Sequence, residues 1–357
     1  MRLDSARSLK AELVSSVVDP LNVRGDRIRT AGARAMAGAT MAAFTLGIGA
    51  RAIDTVPGVQ RTFALGIAPH GDDYRLAIRL QRQALHNSEV IQQLTRKAKG
   101  EVDIRLVGRI DKRAKKPAAV PPWYRSDNRP LLIGSSIAHV LVTAGTIGAF
   151  VERSGKSYVL SNNHVLANEG QAKKGDTVSQ RAPFDGGKKP AQAVAKLGPF
   201  VALKSGGTNF VDAALALLDD QDPASFDAAK LRELVAGKDR KLTGLGPAFV
   251  NEGATVYKAG RTTGPTKGRV TAFDLDNVVV SYGIGNLRFD GQLEIEGTGT
   301  TTFSDGGDSG SLIVNSKMEA VALLFAGSDT GGKNGAGLTY ANPIQTVLGE
   351  LKATLLL

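Results

Sequence analysis

The chain has 357 residues, an ordinary globular share of apolar side chains, no cysteine and a net charge of +11. That length exceeds one average domain, and the missing cysteine excludes disulfides and thiol chemistry. The longest apolar stretch, residues 35–50, is Ala/Gly-rich, short of a membrane-spanning helix and closed by Arg51. Residues 131–357 balance in charge, so the whole excess sits in residues 1–130, densest at Lys112–Arg113–Ala114–Lys115–Lys116. A solvated basic face accounts for this, and so would an acidic or nucleic-acid partner, although no aromatic interleaving accompanies the charge. The charged, helix-like start lacks a signal-peptide core, so the expected location is cytoplasmic, without a membrane partner.

In chain order, Leu9, Leu13 and Val17 recur at a spacing of four over residues 4–18 and predict a helix that Pro20 stops. Residues 43–50 and 62–68 read as short strands. Residues 73–80 alternate polar and apolar, the period of a half-buried strand. Val90, Ile91, Leu94 and Ala98 share one helical face over 87–98, with Gly100 as the stop, and 101–110 alternate again. Residues 1–111 therefore form a small basic α+β module. Residues 112–130, rich in Lys and Pro, have the composition of a linker, with Trp123 packing it onto a domain.

From residue 131 onward short β-rich runs alternate with Gly, Asn and Asp turns: 145–151, 157–161, 192–197, 210–218, 254–258, 267–273, 277–282, 292–297, 311–314, 320–325 and 336–340. Such spacing predicts a sandwich or barrel, with a short helix at 223–236 between strands.

Three segments of 131–357 carry chemistry. In Gly307–Asp308–Ser309–Gly310–Ser311 the glycines allow a tight turn that exposes the serine hydroxyl, with backbone N–H groups able to converge beside it. In Ser161–Asn162–Asn163–His164–Val165 a histidine follows a strand at the mouth of a turn, where a base can face a cleft. The other histidines, His70, His86 and His139, read as ordinary polar residues. Asp212 heads the apolar run Asp212–Ala213–Ala214–Leu215. A buried aspartate needs hydrogen bonds, which a histidine Nδ1–H would supply. Opening a strand at a turn explains it equally well taken alone.

The order His164, Asp212, Ser309 is that of the chymotrypsin type among the orders in which this triad occurs. These segments resemble the trypsin/chymotrypsin-like serine proteases, in particular their cysteine-free bacterial branch, over about residues 131–350. Gly260–Arg261–Thr262–Thr263–Gly264 resembles the family's strand-turn segment before the nucleophile loop. The resemblance implies a mainly β fold, a chymotrypsin-like pair of six-stranded antiparallel barrels, here preceded by the α+β module. It implies that Ser309 attacks the scissile carbonyl, His164 relays the proton and Asp212 orients the imidazole. The N–H groups of Gly307 and Ser309 would form the oxyanion hole. Phe303 matches the base of the substrate pocket, and Phe325, Gly327 and Gly337 its walls. A non-acidic Phe303 implies an apolar or small residue before the scissile bond. The aspartate at 308 would need a cation, and Lys258 matches the internal basic residue of bacterial members; an exposed strand-end lysine is the plain alternative.

The expected function is thus a serine endopeptidase acting on protein or peptide, without cofactor or metal, its N-terminal module recruiting substrate or regulating access. The alternative is a catalytically idle protease fold that binds or regulates, one form of which responds to nucleic acid through the basic module.

Overall fold

The computed structural model describes residues 1–22, 59–111, 121–187, 191–248, 253–333 and 335–357. The strand expected at 43–50 and the basic run at 112–116 lie outside the described residues.

Six antiparallel strands in the C-terminal half close into a ring. Thr255–Gly260 pairs with Gly264–Asp276, which pairs in turn with Gln292–Gly297. Leu338–Pro343, Glu319–Ser328 and Leu312–Asn315 follow, and Leu312–Asn315 returns to Thr255–Gly260. Alternation along these strands points Val256, Val270, Ile295, Ile313, Ala322 and Ala341 to the interior. The preceding half is a curved run of eight strands, from Thr354–Leu355 through Ala149–Arg153, Lys156–Ser161, Ala214–Leu218, Ala193–Phe200, Thr177–Ser179 and Ser136–His139 to Gly145–Thr146. Phe150, Val159, Leu197 and Leu215 fill its core, and Ile344, Val347 and Leu351 of the C-terminal helix Ile344–Leu351 pack on the same cluster. The fold is therefore mainly β and chymotrypsin-like. Its second barrel is a closed six-strand ring and its first a half-barrel, in place of two equal six-stranded barrels.

The N-terminal elements continue the second barrel's sheet. The hairpin Phe63–His70/Asp73–Leu80 lays its first strand antiparallel on Gly264–Asp276, with Leu65 opposite Asp276 and Ile67 opposite Phe273. The helix Glu89–Lys97, capped by the Ser88 hydroxyl, returns the chain to Val102–Leu106, parallel to Asp73–Leu80. Arg79 is fully buried at this junction, its Nε 2.8 Å from Glu294 Oε2 in the ring and its guanidinium 2.9 Å from Asp103. A two-residue strand, Ile110–Asp111, then slots between Val278–Tyr282 and Glu319–Ser328.

Three local expectations change. The N-terminal helix runs on to residue 22: Leu3–Leu13 is followed by a π turn, Val14–Val18, and this wider turn takes in the region where Pro20 has no N–H to give. The helix expected at 223–236 is reduced to a 3-10 turn, Pro223–Ser225, followed by the short strand Phe226–Asp227 and a hairpin, Lys230–Val235 with Lys238–Lys241. A bulge with Glu233 at φ 53° buries both Leu231 and Leu234, a spacing of three that mimics a helix face. The second half of the expected linker is built into the structure. Arg125 is buried, with Nε and Nη2 donating to the carbonyls of Arg261 and Thr262 at 3.0 and 2.9 Å, and Trp123 Nε1 reaches Glu233 at 3.2 Å.

Candidate active site

Register brings the first two chemical residues together. Lys156–Ser161 and Ala214–Leu218 are neighbours with Ser161 opposite Ala214. The turn Asn163–Leu166 that ends one strand therefore lies beside Asp212 at the head of the other. His164 Nδ1 is 2.5 Å from Asp212 Oδ2, and the His164 backbone N–H donates to Oδ1 at 3.1 Å. Tyr282, from the second barrel's hairpin, donates its hydroxyl to the same Oδ2 at 2.5 Å, and Asn342 Oδ1 accepts from the Asp212 N–H at 3.0 Å. Asp212 is completely buried. Burial opposes its charge, but the neighbouring His164 and the hydrogen bonds from His164 and Tyr282 outweigh it, and the carboxyl is held below its ordinary range. Burial and the Asp212 charge push the Tyr282 hydroxyl well above its usual value, which keeps it a donor.

Ser309 lies on a turn clamped by its flanking residues. Gly310 has φ 90°, and a Cβ there would come within 2.1 Å of Ser161 Oγ, three residues before His164. This close approach seats the serine turn against the strand end that carries the histidine. The Ser309 carbonyl accepts from Thr146 N at 2.9 Å, and the Gly310 N–H donates to the Leu324 carbonyl at 2.8 Å.

The carbonyls of the serine loop are engaged by side-chain hydroxyls. Gly306 O accepts from Thr262 Oγ1 at 2.6 Å, Gly307 O from Thr146 Oγ1 at 2.9 Å, and Asp308 O from Ser311 Oγ at 2.6 Å. In a trans peptide the N–H points opposite to the C=O. The N–H groups of Gly307 and Ser309 are therefore turned away from these buried bonds. Gly307 sits at φ 96°, with Thr262 Oγ1 2.5 Å from where a Cβ would lie.

Asp308 is buried beneath this loop and densely bonded. Its carboxylate accepts from Thr262 N at 2.7 Å, Thr263 N at 3.1 Å, Thr263 Oγ1 at 2.7 Å and Asp305 N at 3.0 Å. Lys258 Nζ, also fully buried, is 3.2 Å from Asp308 Oδ2 and bonds the Thr263 hydroxyl. Burial lowers the Lys258 pKa, and the Asp308 charge opposes that shift. A second buried pair, Arg261 Nε to Asp185 Oδ2 at 2.7 Å, ties the two barrels together under the same loop.

A cleft of about 190 Å³ opens beside Ser309, lined by Ser304, Leu324, Ala326 and Gly327 among others. Phe303 and Phe325 do not line it, which corrects their expected roles. Phe303 is 1% exposed and turned into the ring, 5.8 Å beneath Lys258, so its neighbour Ser304 faces the cleft instead. Phe325 points to the opposite face of its strand and packs on Phe289, leaving Leu324 and Ala326 at the wall. Gly327 lines the cleft. Gly337 closes a turn beside the lining Ala336, where a Cβ would lie 2.1 Å from Ser328 O. The remaining histidines lie elsewhere: His139 Nε2 is 3.3 Å from Asp176, and His70 and His86 are in exposed contacts with Arg75 and Asn87. Sequence reading missed Tyr282 and Asn342, and nothing local to either residue marks it.

No family model and no curated protein matches the chain. The solved structures similar to it are trypsin/chymotrypsin-like serine proteases. Protease A of Thermobifida fusca is 17% identical over 63% of this chain and 98% of its own, with a TM-score of 0.45. A Nocardiopsis protease matches at 17% over 63% and 98%, TM-score 0.45. A glutamic acid specific serine protease matches at 21% over 63% and 100%, TM-score 0.46.

Proposed function

We propose that the chain is a serine endopeptidase acting on peptides or proteins. The observation that carries this reading is the buried His164–Asp212–Tyr282 hydrogen-bond network at the strand end against which the Ser309 turn is packed. In the proposed cycle His164 Nε2 takes the Ser309 proton as Oγ attacks the carbonyl, and Asp212 holds the imidazole and offsets its positive charge. The oxygen that becomes negative is met by the N–H groups of Gly307 and Ser309. His164 then gives the proton to the departing amine, leaving an acyl-serine. Water, deprotonated by His164, attacks the acyl carbon, and the serine is restored with release of the acid. Lys258 and Asp308 hold the loop that presents both N–H groups. The N-terminal module acts in recruitment or regulation through its attachment to the second barrel.

Nothing supports a nucleic-acid partner for that module. Several of its basic residues are paired with carboxylates, among them Arg79 with Glu294, Lys10 with Asp276 and Lys97 with Glu12. No described helix is long and apolar enough to cross a membrane.

Labelling with a fluorophosphonate tests the reading. The full chain is expected to gain one adduct, on Ser309, which Ser309→Ala lacks and which forms at least ~10³ times more slowly in His164→Ala. A folded wild-type chain that takes no label contradicts catalysis and favours an idle fold.

A further inference from the structure

Tyr282, the second-barrel residue whose hydroxyl reaches Asp212, stands at the end of a hairpin. Val278–Tyr282 pairs antiparallel with Gly285–Phe289, Tyr282 lying opposite Gly285, so Gly283 and Ile284 form the connecting turn. Farther down, the first of these strands is flanked by Ile110–Asp111 of the N-terminal module, with Ile110 opposite Val280 and Asp111 opposite Ser281. That pairing ends at Ser281, before Tyr282. The Tyr282 ring stacks on Phe289 of the same hairpin, centroids 5.9 Å apart, and meets the His164 ring edge-on at 5.9 Å. The placement of the hairpin tip against the first barrel therefore fixes where the Tyr282 hydroxyl falls.

Glu169 meets that tip from the first barrel. Its carboxylate accepts from both turn amides, Gly283 N–H at 3.2 Å and Ile284 N–H at 3.1 Å. Two adjacent N–H groups converging on one carboxylate make a directed, charge-assisted contact. A Cβ on Gly283 would lie 3.1 Å from Glu169 Oε2, so the absence of a side chain there gives the carboxylate its room. Glu169 belongs to the turn Asn168–Gly170, separated from the His164 turn Asn163–Leu166 only by Ala167. Asn168 and Glu169 both have positive φ, 48° and 61°, a region that residues other than glycine enter at a cost. This conformation carries the Glu169 side chain from the base-bearing segment of the first barrel to the hairpin of the second.

We infer that Glu169 is a positioning residue for the triad: by holding the hairpin tip it sets Tyr282 on Asp212 and, through Asp212, orients the imidazole of His164. The inference rests on the proteolytic reading and deepens it. Base and clasp leave the first barrel within one short segment, so the hairpin is registered against the histidine itself and not against a distant part of the fold.

A double-mutant cycle on the full chain tests this, with Glu169→Ala, Tyr282→Phe and the two combined. The readouts are the saturating rate of fluorophosphonate labelling, and kcat and KM on a chromogenic peptide ester. Glu169→Ala is expected to slow labelling and lower kcat by about three- to tenfold with KM nearly unchanged, and Glu169→Gln, which keeps one acceptor oxygen, should lose less. With Tyr282→Phe already in place, Glu169→Ala should slow labelling by less than about twofold, because the hydroxyl through which it acts is gone. Where Glu169→Ala folds poorly by circular dichroism, the cycle is run with Glu169→Gln. Equal losses in both backgrounds, or a loss confined to KM or to stability, overturn the positioning role and leave the proteolytic reading standing. A folded wild-type chain that takes no label overturns the proteolytic reading, and the inference falls with it.

Discussion

His164 and Asp212 stand at the ends of two adjacent strands of the first barrel, and their meeting follows from one register, Ser161 opposite Ala214. The second barrel supplies Ser309 on different terms. Its ring is closed by six strands of its own, yet the serine loop and cleft draw on residues from well outside that ring. Thr146 and Asp185 come from the first barrel, Arg125 from before it, and Asp111 from the N-terminal module. The proposed base and its carboxylate are thus brought together by one strand pairing, with Tyr282 and Asn342 added from the second barrel, while the proposed nucleophile and the cleft draw on several separate segments. Changes near the first pair should act on the chemical step, and changes around the second should act on loop geometry and stability as well.

The largest expected effect on this contrast is at the buried ion pair. Lys258→Ala leaves the Asp308 charge without its cation in a fully buried position, a loss of about 3–5 kcal/mol in unfolding free energy, together with slow fluorophosphonate labelling as the loop loosens. Urea denaturation and labelling rate read the two effects. A variant with unchanged stability and unchanged labelling would show that the hydrogen bonds from Thr262, Thr263 and Asp305 suffice, and would break the proposed dependence.

Tyr282→Phe reaches across the comparison, because a second-barrel hydroxyl bonds the first barrel's aspartate. Losing one hydrogen bond to a charged group should cost about 1.5–3 kcal/mol, which appears as roughly ten- to a hundredfold in kcat with little change in KM. Steady-state kinetics separates the two constants, and a change confined to KM would argue against a positioning role.

The smallest effect is in acid stability. The Asp212 carboxyl is held below its ordinary value in the fold, so its contribution is complete above the unfolded carboxylate pKa of about 3.9 and is lost as pH falls through the lower folded value. The stability difference between wild type and Asp212→Asn should narrow as pH falls below about 3.9. Urea midpoints across that range measure it, and a gap that widens on acidification would contradict the sign.

Much of this site was legible in the chain because its signals are local. Alternating runs mark strands, a histidine just past a strand marks a candidate base, and Gly307 and Gly310 around Ser309 mark a clamped turn. What was not legible is what pairing decides. A two-residue strand such as Ile110–Asp111 has no periodicity to read, so Asp111 could not be assigned to the cleft. Tyr282 reaches Asp212 only through the packing of one barrel on the other. The expected pocket wall at Phe325 is not at the cleft because a single step along a strand exchanges the inward and outward faces, and the expected base at Phe303 lies in a loop, outside any strand, that turns its ring inward. The stretch 223–236 reads as helix, although its second half is the first strand of a hairpin, because a bulge there spaces Leu231 and Leu234 as a helix would.

Ser309 is proposed to form a covalent acyl intermediate with His164 as its base. Rapid mixing of the full chain with a chromogenic ester tests it most directly. A burst of one leaving group per chain followed by slower turnover is expected, with the burst absent in Ser309→Ala. Hydrolysis that persists in Ser309→Ala, or a wild-type chain that releases no leaving group, would contradict it.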